Sequence, residues 1–231
     1  MLALFFVASH GAWFYKPIDD DASLALAKRV QLTEVYTSIG ALPLTDATTP
    51  SRVARWKAAG LRVEALIDAP DVETTVKKIV AFNAAQPPSK RFDGVHYDHE
   101  PWIGTGESMA WVEPLLAKYK VAATLCQANG LSFTADISGA KFAHLTAVQR
   151  QALAKAATRL VLMEYETPLE RVAKRLSQAL ADADNARFVA ALRVKDFGCH
   201  TPTMLDGLEK QHASHPRYGG WAIFGSLDIC P

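Results

Sequence analysis

Cysteine is scarce in this sequence, and neither sign of charge dominates it. The 231-residue chain has three cysteines, an odd number that fits no disulfide framework, although Cys199 and Cys230 could pair across neighbouring loops. The 25 Lys and Arg residues balance 24 Asp and Glu residues, and without a basic stripe no nucleic-acid partner is predicted. No stretch reaches the ~20 apolar residues that span a bilayer. With 49% hydrophobic residues, the composition predicts one soluble, compact domain.

The segment Met1–Tyr15 contains no Lys, Arg, Asp or Glu, which resembles a secretion signal. It also lacks the basic segment that opens such a signal, and its apolar run stops at Ser9. We therefore predict a buried strand over Leu2–Ala8. The compartment stays open, and a secreted or periplasmic location is favoured only if a leader has been removed from a longer precursor.

Apolar runs rich in β-branched residues alternate with segments of helical periodicity along the whole chain. The runs recur roughly every 30 residues, which is typical of a repeating strand–helix unit. The predicted strands are Leu2–Ala8, Thr33–Ile39, Arg62–Ile67, Gly94–Tyr97, Leu131–Ala135, Leu160–Met163, Phe188–Leu192 and Trp221–Phe224. They predict a single (β/α)8 barrel over residues 1–231, with an open doubly wound sheet as the alternative. No Gly-rich fingerprint follows the first strand, so no dinucleotide cofactor is expected.

The densest group of polar and aromatic residues lies along and after the fourth predicted strand, in Phe92–Trp102. Strand alternation places His96, Asp98 and Glu100 on one face, pointing into the mouth of the barrel, where barrel enzymes carry their active sites. Two carboxyl groups at this spacing are costly to ionise together, so one should keep its proton to a higher pH. A protonated carboxyl beside a charged one suits general acid catalysis near neutral pH. A structural network could contain the same pair.

This segment resembles glycoside hydrolase family 18, the chitinase and endo-N-acetylglucosaminidase group. The fourth-strand signature of the family is Asp-Gly-x-Asp-x-Asp-x-Glu, and this chain has Asp93-Gly94-x-x-x-Asp98-x-Glu100. The resemblance implies a (β/α)8 glycosidase that acts on N-acetylhexosamine-containing glycans and needs no cofactor.

Two further segments are similar to the same family. Met163–Glu166, on the sixth predicted strand, is similar to the Met-x-Tyr-Asp segment of the family, with Glu in place of the final Asp. Gly219–Phe224 is similar to the eighth-strand segment, with Phe224 where the family has a Trp. The resemblance therefore covers the layout of the barrel through three short motifs.

The resemblance implies roles only at matching positions. Glu100 is expected to protonate the glycosidic oxygen, and Asp98 to orient the 2-acetamido group whose oxygen attacks the anomeric carbon. Tyr165 is expected to hydrogen-bond that acetamido oxygen, in the substrate-assisted exception to the two-carboxylate scheme. Asp93 resembles a supporting residue below the site.

Three departures from the family pattern affect these expectations. His96 stands where the family has an Asp. A cationic His96 would lower the pKa of both neighbouring carboxyls, whereas a neutral one could donate a hydrogen bond to Asp98. Phe224 removes the indole on which the sugar usually stacks. The segment Arg193–His200 is too short for the small inserted domain of many chitinases, which argues against a deep groove for long polymers.

Other residues at the predicted strand ends are candidates for contacts with carbohydrate, the partner class that the resemblance implies. Aromatic faces could stack on sugar rings or simply pack helices, and polar side chains could bond sugar hydroxyls or form a buried network. The candidates for substrate binding are His96, Trp102, Asp136, Glu166, Trp13, Arg193 and Asp68. The sequence does not define an oligomeric state.

Two other functions fit the same residues. The changes at His96 and Phe224 are compatible with a barrel that binds carbohydrate without turnover. Alternatively, His10, His96 and His99 could bind a divalent metal together with nearby carboxylates, as in a metal-dependent hydrolase. No motif of fixed ligand spacing such as His-Glu-x-x-His is present, so a metal is not predicted.

Overall fold

The architecture is a closed barrel of parallel strands. The computed structural model describes residues 8–15, 20–165, 168–182 and 186–225. Within these ranges eight strands pair in chain order, and the last closes the barrel on the first. The strands are β1 (Ser9–Phe14), β2 (Glu34–Ser38), β3 (Arg62–Ile67), β4 (Gly94–Tyr97), β5 (Ser132–Ser138), β6 (Arg159–Met163), β7 (Arg187–Arg193) and β8 (Tyr218–Phe224). The predicted (β/α)8 barrel is confirmed, and its extent over the whole chain as one domain stays a prediction.

Helices follow the strands and pack around the barrel. Those in the described residues are α1 (Asp20–Arg29), α2 (Thr49–Ala58), α3 (Val72–Ala84), α4 (Val112–Ala128), α5 (Gly139–His144), α6 (Ala147–Lys155), α7 (Leu169–Asp182), α8 (Val194–Phe197) and α9 (Thr201–His212). Local capping defines some starts, because Thr146 and Gln149 form a capping box on α6. None of the described helices is long and apolar enough to cross a membrane.

The first strand differs from its prediction. β1 covers Ser9–Phe14, and the predicted strand Leu2–Ala8 falls almost wholly outside the described residues. The Tyr36 side chain of β2 packs directly against Gly11, since a Cβ on Gly11 would lie 2.3 Å from the Tyr36 hydroxyl. The prediction missed β1 because the strand begins with Ser-His-Gly, which is more typical of a loop. The apolar run before it has the composition of a buried strand. Trp13, which was predicted to lie in a loop, therefore lies in the barrel interior.

The interior of the barrel has an apolar layer and, nearer the N-terminal ends of the strands, a charged one. Arg159 Nη1 lies 2.7 Å from both carboxylate oxygens of Glu34, and Arg159 Nη2 lies 3.0 Å from Glu64 Oε1. These charges tolerate burial because each has an opposite charge within hydrogen-bond distance. The apolar layer, closer to the mouth, contains Trp13, Tyr36, Leu66, Val161, Val189, Ala191 and Ala222.

A cleft of about 470 Å³ opens at the N-terminal end of the barrel, and Arg62, Arg159 and Arg187 are among its lining residues. Arg62 Nη2 and Arg159 Nη2 each lie 3.0 Å from Glu64 Oε1, so two of these guanidinium groups already bond a buried carboxylate. Barrel enzymes carry their chemistry at the opposite end. We therefore assign this cleft to the structural network.

Gly94→Ala is expected to lower the free energy of unfolding by about 2–4 kcal/mol. A Cβ at this position would lie 2.0 Å from Ser132 Oγ and 2.8 Å from Glu64 Oε1, so the methyl group must displace a buried carboxylate from its arginines. Gly207→Ala in α9 is the control, because its Cβ meets open space and should stabilise by about 0.5–1 kcal/mol. Urea unfolding measures both, and an unchanged midpoint for Gly94→Ala would contradict the prediction.

Candidate active site

The carboxyl ends of the strands bring several predicted site residues to the mouth of the barrel. Asp98 and Glu100 follow β4, Tyr165 follows β6, and Arg193 ends β7. These four residues are partly buried, so they border the opening while being shielded from bulk water. The negative charge of Asp136, from β5, acts on Asp98, Glu100 and Tyr165, which places them in one electrostatic cluster.

Asp98 holds its proton far above the ordinary range of a carboxyl group. Burial raises the pKa of Asp98 to about 9, with further contributions from the negative charges of Asp136 and Glu100. The Tyr15 hydroxyl, just after β1, donates a hydrogen bond to Asp98 Oδ2. Asp98 is therefore neutral near pH 7, with one of its oxygens fixed by a residue from another strand.

Glu100 also has a raised pKa, and Trp102 helps to place it. Burial is the main cause of the rise, followed by the charge of Asp136, while a hydrogen bond from Trp102 lowers the pKa. The Trp102 ring is 6% exposed and packs edge-on against Trp111, with 5.4 Å between the ring centroids. Trp102 was expected to offer a stacking face to a sugar, but the structure buries that face and gives the residue a supporting position.

His96 and Asp136 form a buried pair beneath the mouth. His96 Nε2 lies 2.6 Å from Asp136 Oδ1, and His96 Nδ1 lies 3.5 Å from Glu64 Oε2. Burial lowers the pKa of His96, but the two carboxylates outweigh it and raise the value to about 9, so the imidazole is cationic at neutral pH. The Trp13 indole donates to Asp136 Oδ2 at 3.3 Å, and the Tyr119 hydroxyl donates to the Asp136 backbone oxygen at 2.7 Å.

This pair corrects the expectations for His96. Its Nε2 bonds Asp136 rather than Asp98, and the pKa of Asp98 is raised rather than lowered. His96 and Asp136 are 0% exposed and Trp13 is 4% exposed, so the structure gives them no surface on which a sugar could rest. These three residues, predicted to contact substrate, support the mouth from below.

Aromatic rings form the wall of the mouth beside the carboxyl groups. The Tyr165 ring stacks on Phe224 with 5.6 Å between centroids, and the Arg193 guanidinium lies 5.1 Å from the Tyr165 centroid. Tyr15 meets Phe224 edge-on at 5.5 Å. Arg193 Nη2 also donates to Asp196 Oδ1 at 2.8 Å. Phe224, at the position of the family's Trp, therefore packs against two tyrosine rings that border Asp98.

Tyr15 is a site residue whose contact with Asp98 the sequence does not predict. Its side chain is 37% exposed at the mouth, while its hydroxyl reaches Asp98. Alternation from the observed β1 carries the necessary information, because Trp13 points inward and residue 15 is two positions further along. The predicted strand Leu2–Ala8 ends before these residues, so the alternation of Trp13 and Tyr15 could not be recognised from it.

The remaining predicted residues lie at the rim or outside the described ranges. Asp68 is exposed after β3, where its charge acts on His99. Glu166 and Cys230 lie outside the described residues, as does the side chain of Cys199, so the possible Cys199–Cys230 pairing stays untested.

The position of His10 argues against the alternative of a metal site at the mouth. His10 lies near the N-terminal end of the barrel, where its Nε2 is 2.8 Å from Glu209 Oε2 and its ring stacks on Trp221. His96 is engaged with two carboxylates inside the barrel, so His10, His96 and His99 do not converge. Within the described part of the chain, no group of three His, Cys, Asp or Glu side chains is arranged to hold a metal ion.

Asp98→Asn is expected to stabilise the fold, and more strongly as the pH rises. The folded-state pKa of about 9 exceeds the ordinary value of 3.8, so the folded protein binds more protons between these pH values and its stability falls as the pH increases through them. An amide removes this loss, which gives a gain of roughly 1–3 kcal/mol at about pH 8 and little at about pH 3. Thermal unfolding at both pH values makes the comparison, and an equal difference at both would contradict it.

Comparison with known proteins supports the barrel at the level of structure. No protein-family model and no curated protein matches this sequence. A solved structure of an endo-β-N-acetylglucosaminidase variant from Cordyceps militaris, in complex with fucosyl-N-acetylglucosamine-Asn, matches with a TM-score of 0.56 at 11% identity, over 96% of this chain and 85% of its own. A Group II chitinase catalytic domain from Ostrinia furnacalis has a TM-score of 0.55 at 12% identity, over 80% of this chain and 64% of its own.

The same barrel also matches proteins with other chemistry. D-psicose 3-epimerase from Clostridium cellulolyticum H10 has a TM-score of 0.58 at 10% identity, over 94% of this chain and 84% of its own. A shared barrel fold accommodates many unrelated reactions, so function has to be argued from the site. These comparisons show the barrel fold.

Proposed function

We propose that this protein is a glycoside hydrolase that cleaves glycans at an N-acetylhexosamine residue with assistance from the 2-acetamido group of the substrate. The observation that carries the proposal is the pair of carboxyl groups at the mouth, Asp98 and Glu100, both with raised pKa. A carboxyl group with a raised pKa beside a second carboxyl group suits acid-catalysed cleavage of a glycosidic bond. The fucosyl-N-acetylglucosamine-Asn bound to the similar Cordyceps militaris structure supports an acetamido sugar as the substrate class.

Glu100 is the proposed general acid. Its proton passes to the glycosidic oxygen as the bond between that oxygen and the anomeric carbon breaks. The acetamido oxygen forms a bond to the same carbon, which gives a cyclic oxazolinium ion and releases the alcohol. Water then attacks the anomeric carbon and opens the ring, and the Glu100 carboxylate takes a proton from this water and returns to its starting state.

Asp98 and Tyr165 are proposed to hold the acetamido group in the attacking orientation. A neutral Asp98 offers its carbonyl oxygen to the acetamido N–H, and the Tyr165 hydroxyl donates to the acetamido oxygen. Tyr15 bonds Asp98 and Phe224 stacks on Tyr165, so both contact groups are placed before a ligand arrives. Such placement reduces the entropy lost in reaching the reactive geometry.

Arg193 and Asp68 complete the proposed substrate contacts. Both keep exposed surface at the ends of their strands, unlike the buried residues beneath the mouth. Arg193 is oriented by Asp196 and lies over the Tyr165 ring, so it borders the position proposed for the acetamido sugar. Asp68, on the rim after β3, is proposed to bond a sugar hydroxyl further from the cleaved linkage.

The proposal predicts selectivity for acetamido sugars. Oligomers of β-1,4-linked N-acetylglucosamine should be cleaved, whereas glucose oligomers of the same length and linkage should not, because a 2-hydroxyl group cannot supply the internal nucleophile. Mass spectrometry of products over roughly pH 4–8 makes the comparison, and N-glycans and peptidoglycan fragments extend the substrate panel. Equal cleavage of both oligomers would contradict substrate assistance. Binding of the acetamido oligomer without product at any pH would favour the non-catalytic binding barrel.

A further inference from the structure

Asp136 is a buried carboxylate that no step of the proposed reaction uses. It is 0% exposed, and its two oxygens accept from His96 Nε2 at 2.6 Å and from Trp13 Nε1 at 3.3 Å. Tyr119 fixes the backbone of the same residue through a 2.7 Å hydrogen bond. Asp98 directly follows β4, and Asp136 lies in the neighbouring strand β5, where Ala135 pairs with Tyr97, so the two residues are neighbours across the sheet. The negative charge of Asp136 acts on Asp98 at this position. A carboxylate is costly to bury, so this complete set of partners indicates a specific role.

We propose that Asp136, held by His96 and Trp13, is a positioning residue that accepts a hydrogen bond from the Asp98 carboxyl group and so fixes its orientation. The inference rests on the role proposed for Asp98 in binding the acetamido group. It assigns Asp136 and His96 to the support of that carboxyl instead of to contact with the sugar, in agreement with their complete burial.

The charges around the pair determine the direction of this effect. The cation of the cluster, His96, forms its ion pair with Asp136 and also faces Glu64, so its positive charge is already balanced. An ionised Asp98 would add an uncompensated carboxylate beside Asp136, and the neutral form is favoured. The titratable groups that face Asp98 are Asp136 from β5, Glu100 from its own loop, Tyr15 after β1, Tyr119 from α4 and Tyr165 after β6.

The first test follows the Asp98 carboxyl by carbon-13 NMR in the ligand-free protein, with its resonance assigned by its loss in Asp98→Asn. The wild-type group should titrate near pH 9. In Asp136→Asn, which keeps an oxygen acceptor for His96, it should titrate at a clearly lower pH because the neighbouring negative charge is gone, while burial of Asp98 is unchanged. Asp136→Glu should keep the titration above neutral pH, and the exposed control Glu73→Gln on α3 should leave it unchanged.

Asp98 still titrating near pH 9 in folded Asp136→Asn would overturn the inference, as would an ordinary acidic titration in the wild type. Near-ultraviolet circular dichroism reports whether each variant is folded. Asp136→Ser is a second neutral replacement in case the amide variant does not fold, and the same result is expected of it.

A kinetic readout separates positioning from a purely structural role. On an acetamido oligomer that the wild type cleaves, Asp136→Asn should lower kcat about 10–100-fold at pH 7 with little change in KM, and Asp136→Glu should recover part of the rate. Equal losses in both variants with an unchanged Asp98 titration would overturn the inference. If the wild type releases no product while the Asp98 titration still moves in Asp136→Asn, the proposed reaction fails and the link between Asp136 and Asp98 stands.

Discussion

Glu100→Gln is expected to lower kcat on an N-acetylhexosamine substrate by about 10²–10⁴-fold while binding changes little. Glutamine keeps the size of the side chain and an oxygen that accepts from Trp102, so the geometry of the loop should survive. The amide has no acidic proton to give to the leaving oxygen, which removes the general acid alone. Initial rates of product release, with binding measured by calorimetry, separate the two effects.

A control variant and a second substrate test whether the loss in Glu100→Gln comes from the missing general acid. Glu107→Gln changes an exposed residue between β4 and α4 and should keep the wild-type rate. On an acetamido sugar with a 2,4-dinitrophenyl leaving group, the loss in Glu100→Gln should be much smaller, because that group departs without protonation. Full turnover of a natural linkage by Glu100→Gln would assign the acid to another residue.

Arg159→Leu is expected to lower the free energy of unfolding by about 3–5 kcal/mol. The guanidinium bonds both oxygens of Glu34 and one oxygen of Glu64, and these two carboxylates are 1% and 0% exposed. Leucine fills much of the space but leaves the two buried carboxylates without the positive charge of the guanidinium group. Arg62 can compensate Glu64 in part, since its Nη2 lies 3.0 Å from Glu64 Oε1.

The same substitution at an exposed ion pair is the control for this prediction. Arg55, in α2, pairs with Asp21, in α1, and both side chains are well exposed. Arg55→Leu should therefore cost less than about 1 kcal/mol, because solvent already screens the pair. Urea unfolding of both variants gives the comparison. Similar small losses would show that the interior network contributes no more than a surface pair.

The strands could be predicted from the sequence wherever their local pattern is self-contained. β3 at Arg62–Ile67 and β4 at Gly94–Tyr97 lie where predicted, because each is a short apolar run followed by an acidic residue at the mouth. β1 does not have this property. Its Gly11 is required by the ring of Tyr36 on the neighbouring strand, which is a tertiary constraint that hydrophobicity does not reveal.

The depth of a side chain inside the barrel depends on all the strands together. Alternation predicts that Asp98 and Asp136 both point inward, yet Asp136 is fully buried while Asp98 borders the opening. The stagger of the strands in the closed barrel sets the depth of each residue, and the sequence of a single strand does not determine this stagger. For the same reason Arg159, Glu34 and Glu64 meet only when β2, β3 and β6 are part of one closed sheet.

The anomeric configuration of the first product tests the proposed reaction most directly. Substrate assistance breaks and remakes bonds to the anomeric carbon twice, so the configuration is retained. Time-resolved proton NMR of the wild-type protein with β-1,4-linked N-acetylglucosamine oligomers should show the β-anomer of the product first, with the α-anomer appearing only by mutarotation. Initial release of the α-anomer would contradict the mechanism, and the absence of product from any acetamido glycan in the panel would contradict the proposed function.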